Sequence, residues 1–139
     1  MNREQFIALN PCKLGLIYAL SFPTIKEAFM NCKDTSNIIW LINNALKEEE
    51  SKERLIIFSE ECAGRSFTYA DTYADDYAAA AANSAAYAAS DDHAAYAACV
   101  ASDSTIHAAA AYADAYADAE REIQSDRLKE LFTDLIFKD

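Results

Sequence analysis

Glycine and proline are scarce in this chain of 139 residues, which contains two of each. The glycines are Gly15 and Gly64, and no glycine or proline follows position 64. Two glycines so far apart cannot build a Gly-rich phosphate-binding loop. Because alanine, the best helix former, dominates residues 68–119, the absence of both helix breakers there predicts an all-α fold.

Long apolar runs are also missing, since no stretch approaches the roughly 18 apolar residues that span a bilayer. The first residues lack the basic and apolar regions of a signal peptide, so we expect a cytoplasmic protein with no membrane contact. Basic residues number 12 against 23 acidic ones, which gives a net charge of −11. This balance disfavours direct nucleic-acid binding and is typical of a protein that has a basic protein partner or is simply soluble.

The four cysteines are widely scattered, and none forms a CxxC motif or a Cys/His pair at ligand spacing. They are Cys12, Cys32, Cys62 and Cys99. We interpret them as reduced, small and buried side chains.

The length predicts one domain, residues 1–139. Its composition divides the domain into three parts. Residues 1–64 are mixed in composition and carry apolar clusters at helical spacing, which predicts four short helices. Thr24 with Glu27 fits a capping box, Asp34 and Ser51 are N-cap candidates, and Gly64 is a candidate C-cap.

Residues 65–119 are rich in alanine, tyrosine and aspartate, and we expect packed helices there rather than disorder. Residues 83–84, 90–92 and 102–104 are the polar clusters able to end one helix and start the next. Tyrosine rings are expected mainly to fill the gaps between alanine-rich helices.

Residues 120–139 carry an apolar stripe typical of a docked amphipathic helix, which can continue directly from the helix that contains Tyr112. The Tyr-Ala-Asp-x-Tyr-Ala-Asp pattern occurs at 69–75 and 112–118, but no repeat period connects the other tyrosines. We therefore predict a compact helical bundle or short helix stack of about six to eight helices rather than a regular solenoid.

Candidate chemistry is sparse. Asp103 and His107 stand four residues apart and share one helical face, as metal ligands do, but two ligands do not make a site. His93 follows two aspartates that are better explained as N-caps. No nucleophile signature surrounds any cysteine or serine, so we expect no enzyme activity, no metal and no cofactor.

Acidic side chains on rigid helices offer a partner-binding surface, because rows of carboxylates complement a basic groove. An alanine-rich helix also needs outward charge to stay soluble, and both interpretations stay open. The candidate partner-binding residues are Asp71, Asp75, Asp76, Asp91, Asp92, Asp114, Asp118, Tyr73 and Tyr116.

A family resemblance covers nearly the whole chain in order. It rests on the start Pro11-Cys12-Lys13-Leu14-Gly15, the element Ile38-Ile39-Trp40-Leu41-Ile42, the alanine-rich middle and the ending Ser125-Asp126-Arg127-Leu128. With these features the chain resembles small phage and bacterial proteins described as immunity proteins of polymorphic toxin systems. The resemblance implies an all-helical fold and a binding activity without catalytic residues.

Two functions follow as expectations. The first is a non-enzymatic binding protein that neutralises a toxin or a host defence component, with a salt-sensitive complex. The alternative is a module that sequesters a nucleotide-like small molecule. That module would need Arg65, Arg121, Arg127 and Lys129 to converge. Homodimerisation through the Ala/Tyr faces is compatible with either.

Overall fold

The computed structural model describes residues 1–69, 75–90 and 93–138. These ranges contain eight α-helices and no strand, which confirms the predicted all-α class with six to eight helices. The helices are α1 (Arg3–Ala8), α2 (Lys13–Leu20), α3 (Ile25–Asn31), α4 (Thr35–Ala45), α5 (Glu48–Tyr69), α6 (Asp75–Ser90), α7 (Ala94–Tyr112) and α8 (Asp114–Ile136). None of the described helices combines the length and apolarity that crossing a bilayer requires.

Several helix starts follow from local capping. The Thr24 side chain accepts a hydrogen bond from the Glu27 N–H at 3.1 Å, and the Asp34 side chain accepts one from the Asn37 N–H at 3.0 Å. These two predicted N-caps are confirmed, although for the predicted Thr24–Glu27 capping box the bond shown is the one from the Glu27 N–H to Thr24. Helix α1, which the apolar pattern did not indicate, begins at a full capping box between Asn2 and Gln5.

The predicted ends around α5 are wrong. Ser51 and Gly64 lie inside α5, which runs for 22 residues from Glu48 to Tyr69. A stripe at helical spacing, Leu55, Phe58 and Cys62, is buried on one face of this helix. Burying such a stripe outweighs the roughly 1 kcal/mol that one interior glycine costs, so the helix continues through Gly64.

The polar clusters at 83–84 and 102–104 do not end helices either, since they lie inside α6 and α7. Ser84 donates to the Ala80 carbonyl at 2.9 Å, and Ser102 donates to the Gln124 side chain at 2.5 Å. With their hydroxyls bonded in this way, these serines fit a helix interior. Helix α6 ends at Ser90, next to the third cluster, whose Asp91 and Asp92 lie outside the described residues.

Helix α8 runs unbroken across position 120, as predicted for the C-terminal stripe, but the continuation from Tyr112 is wrong. Ala113 adopts an extended conformation with φ −167° and ψ 145°, which ends α7 at Tyr112 and starts α8 at Asp114. The break separates the two helices without glycine or proline. It sets Tyr112 and Tyr116 on either side of a sharp turn.

Helix α7 lies among α4, α5, α6 and α8 and contacts all four. Its buried face consists almost entirely of small side chains, which let the neighbouring backbones approach closely. The alanines of this face are Ala94, Ala97, Ala98, Ala101, Ala108 and Ala109. Larger side chains fill the adjoining core, where Ile38, Phe58 and Phe132 are essentially inaccessible. Many of the alanine faces are therefore used inside this chain.

Three arginine–carboxylate pairs join α5 to α8. Arg54 pairs with Asp134 at 2.7 Å, Arg127 with Glu61 at 2.9 Å, and Arg65 with Glu120 at 3.0 Å. As residue numbers rise along α5, those of the partners fall along α8, so the two helices run antiparallel. The pairs set the register in which the end of α5 meets the start of α8.

Two predictions about buried side chains need correction. Cys32 and Cys62 are buried and Cys99 is half-buried, but Cys12 is exposed and its Sγ caps α2 by accepting from the Gly15 N–H at 3.4 Å. All four thiols are free. The tyrosines are not mainly gap fillers, because six of the seven that the structure describes are exposed: Tyr18, Tyr77, Tyr87, Tyr96, Tyr112 and Tyr116.

Candidate functional site

Three tyrosines from three helices meet beside the α7–α8 turn. The Tyr112 and Tyr116 rings lie 5.1 Å apart in an edge-to-face arrangement, and the Tyr69 ring lies 6.1 Å from that of Tyr116. Tyr112 is 57% exposed and Tyr116 is 45% exposed. We call these three residues the tyrosine cluster. Aromatic pairs at such separations hold each other in place, so the rings form an ordered, accessible surface.

A buried polar network supports the tyrosine cluster from below. The Tyr69 hydroxyl donates to Glu120 Oε2 at 3.1 Å, and the Arg65 Nε donates to both oxygens of the same carboxylate at 3.0 and 3.1 Å. Gln124 Nε2 also donates to Glu120 at 2.9 Å, while Gln124 Oε1 accepts a hydrogen bond from the Ser102 hydroxyl. Glu120 is 0% exposed, and these donors replace the water that it loses.

The Tyr69 phenol is neutral at physiological pH, and its surroundings favour that form further. Burial raises the pKa of Tyr69 above its ordinary value, and the negative charge of Glu120 raises it further. The phenol is therefore a hydrogen-bond donor to the carboxylate throughout the physiological pH range. This bond orients the innermost ring, and that ring in turn contacts Tyr116.

The structure places the predicted acidic residues in three ways. Asp76, Asp114 and Asp118 are exposed, and Asp75 begins α6. Asp118 pairs with Arg121 at 2.9 Å on the surface of α8. The remaining predicted residues, Asp71, Tyr73, Asp91 and Asp92, lie outside the described ranges.

Tyr116 and the carboxylates beside it project from different sides of α8. Asp114 and Asp118 are four residues apart and share one face, whereas Tyr116 points about 160° away from Asp118 at 100° per residue. The intervening buried stripe contains Ala117 and Glu120. The acidic face and the tyrosine cluster therefore border the same helix end without forming one mixed surface.

The pair Asp103 and His107 does not form a metal site. His107 Nδ1 lies 2.7 Å from the backbone carbonyl oxygen of Asp103, and its ring stacks on Tyr77 with the centroids 5.4 Å apart. Among the residues that the structure describes, no three His, Cys, Asp or Glu side chains converge as metal ligands. The spacing is explained by helix geometry and a ring contact.

The four cations that a phosphate-bearing ligand would need are each engaged by a carboxylate. Arg65 contacts Glu120 and Arg127 contacts Glu61 across the α5–α8 interface. The other two pairs lie along α8, with Arg121 on Asp118 at 2.9 Å and Lys129 near Asp126 at 4.0 Å. A phosphate would have to displace these carboxylates, so the arrangement gives the nucleotide-like alternative no support.

The sequence pattern did not indicate the Arg65–Glu120 network. Glu120 and Gln124 stand one turn apart, but the same spacing occurs on any solvated helix, and nothing local marks them as buried. A surface ion pair and a buried one look alike in a single sequence.

No protein-family model, curated protein or solved structure matches the chain.

Proposed function

We propose that this chain is a non-enzymatic binding protein that neutralises a basic protein partner, such as a toxin or a host defence component. The observation that carries the proposal is the tyrosine cluster, whose two outer rings are exposed yet held in place by each other and by Tyr69. Tyrosine is enriched where proteins meet because its rigid ring offers contact area at a low entropic cost.

The negative net charge of the molecule supports a positively charged partner. A net charge of −11 raises the encounter rate with basic proteins and disfavours acidic ones. Asp114 and Asp118 add exposed carboxylates at the end of α8 that carries Tyr116. We therefore assign binding energy to the rings and steering to the carboxylates.

The resemblance to immunity proteins described from the sequence is compatible with this proposal. An inhibitor of that kind needs a rigid, accessible surface and no reaction chemistry, and the buried Glu120 network supplies the rigidity. Dimerisation through Ala/Tyr faces stays a prediction.

The test is a pull-down with the full chain as bait at about 50 mM and about 500 mM salt, which spans weak and strong screening. We expect a basic protein that is retained at low salt and released at high salt. The variant Tyr112→Ala/Tyr116→Ala should lose it, whereas Tyr96→Ala, which removes a ring 70% exposed elsewhere on α7, should retain it. Equal retention by the double variant at unchanged helicity would overturn the assignment.

A further inference from the structure

A second site lies in the other half of the molecule, beneath α2. A cavity of about 330 Å³, partly open to solvent, lies between α1, α2, α3 and α4. Protein interiors contain few voids larger than a water molecule, whereas ligand pockets begin near 300 Å³. The size therefore corresponds to a small-molecule site rather than to a packing gap.

The lining of the cavity is aromatic and uncharged. One ring comes from each of the four helices: Phe6, Tyr18, Phe29 and Trp40. The Phe6 and Trp40 rings meet edge to face with centroids 6.3 Å apart. No Asp, Glu, Lys, Arg or His is among the residues that line it. A charged ligand would lose its hydration without gaining a counter-ion, so the lining favours a neutral one.

Polar groups lie at the rim and leave the interior apolar. Ser36 and Asn37 line the cavity and are exposed, whereas Ile25 and Ile38, which also line it, are buried. The Tyr18 hydroxyl already donates to the Ala28 carbonyl at 3.2 Å, so that ring offers the cavity its apolar face. A ligand with an apolar body and one uncharged polar end would match this distribution.

Gly15 is a position at which substitution can reduce the space in the cavity. It lies within α2 and lines the cavity, and its φ is not positive, so the backbone does not require glycine. Glycine destabilises a helix interior relative to alanine. A Cβ at this position would lie 3.4 Å from Cys12 Sγ and 4.0 Å from Pro11 Cβ, which are ordinary contacts. A side chain longer than alanine at this position would occupy part of the cavity.

We infer that this cavity binds a neutral, predominantly aromatic or apolar small molecule. The site is separate from the tyrosine cluster and does not depend on the proposed function. Its occupant inserts between the four rings and directs its polar end to Ser36 and Asn37 at the rim.

The test uses a matched pair of fluorescent probes, neutral N-phenylnaphthylamine and its anionic relative anilinonaphthalene sulfonate. Trp40 is the only tryptophan of the chain and lines the cavity, so energy transfer from it detects the bound probe, and the obstructed variants below show whether that probe lies in the cavity. We expect saturable one-to-one binding of the neutral probe, at least about tenfold tighter than that of the anion, because the lining offers no counter-ion.

Gly15→Leu should weaken binding of the neutral probe at least about tenfold by filling the cavity, whereas Gly15→Ala should retain it and raise helix stability. If Gly15→Leu does not fold, Ser36→Phe, at an exposed position on the rim, provides the same obstruction. Absence of transfer from Trp40, or equal affinity in the obstructed variants, would overturn the site. Equal or tighter binding of the anion would overturn the ligand class.

A second copy of the chain inserting a side chain is the competing occupant. Sedimentation of the full chain with and without the neutral probe distinguishes the two. A monomer that binds the probe supports the small-molecule site, and a dimer that the probe disperses would overturn it.

Discussion

Arg65 and Glu120 form an ion pair that is half inside the protein, because the Glu120 side chain is fully buried while that of Arg65 is 25% exposed. Arg65 Nε lies 3.0 and 3.1 Å from the two carboxylate oxygens, and the residues stand 55 positions apart in the chain. The pair connects the end of α5 to α8 directly under the tyrosine cluster. Its integrity thus sets both the packing of two helices and the position of the rings.

Removal of the Arg65 charge should therefore destabilise the fold strongly. Arg65→Met leaves the Glu120 carboxylate buried without its counter-ion, at a cost of about 3 kcal/mol in the free energy of unfolding. Urea denaturation, monitored by circular dichroism, measures the free energy of unfolding. Arg121→Met is the matched control, because it removes an arginine from an exposed pair with Asp118 and should cost less than about 1 kcal/mol. Equal losses in the two variants would contradict the role of the buried pair.

The cysteines should differ widely in reactivity. Burial raises the pKa of Cys62 to about 12 and that of Cys99 to about 11, so at pH 8 their thiolate fractions are roughly one in ten thousand and one in a thousand. Cys12 is exposed and should react with iodoacetamide first. Peptide mapping by mass spectrometry follows each site. Modification of Cys62 before Cys12 in the folded protein would contradict this order.

The raised thiol pKa also predicts alkaline destabilisation. The pKa of Cys62 is about 12 in the folded protein against an ordinary value of 9.0, so folding favours the protonated thiol. Its contribution to stability is fully present below about pH 9 and declines as the pH rises toward about 12. Urea denaturation at increasing pH should show this decline. Cys62→Ala should flatten the decline, and an unchanged slope in that variant would contradict the assignment.

Truncation after Ala119 should unfold or aggregate the protein. The deletion removes Leu128, Phe132 and Ile136 from the core, each worth about 1.5–3 kcal/mol of burial. Circular dichroism and size-exclusion chromatography measure the outcome. Deletion of residues 138–139 alone is the control and should leave the fold intact. A helical, monodisperse product ending at Ala119 would show that α8 is dispensable.

Charge reversal should show whether the carboxylates act on the association rate while the tyrosine cluster holds the complex together. Asp114→Lys/Asp118→Lys should slow association with the basic partner and reduce its salt dependence, because steering acts on the association rate. Surface plasmon resonance with the captured partner gives both rate constants. Asp126→Lys/Glu130→Lys changes the charge of the same helix equally and should have a smaller effect. Identical rate constants for the wild type and the first variant would show that these carboxylates have no role in binding and serve only solubility.

Local preferences determined the helical class and several helix starts. Alanine-rich sequence without glycine or proline favours helix at every position, and a capping side chain such as Thr24 or Asp34 acts within three residues of itself. These effects need no partner from elsewhere in the chain, so the sequence alone contains them. The all-helical class and the confirmed N-caps follow from that.

Tertiary packing decided where helices end and which side chains meet. Gly64 and Ser102 lie inside helices because burying one face of α5 and of α7 gains more than a local break would. The meeting of Arg65 with Glu120, and of the Tyr69, Tyr112 and Tyr116 rings, joins residues from separate helices. Such contacts depend on the register of packed helices, a balance of many small burial terms that no local pattern encodes.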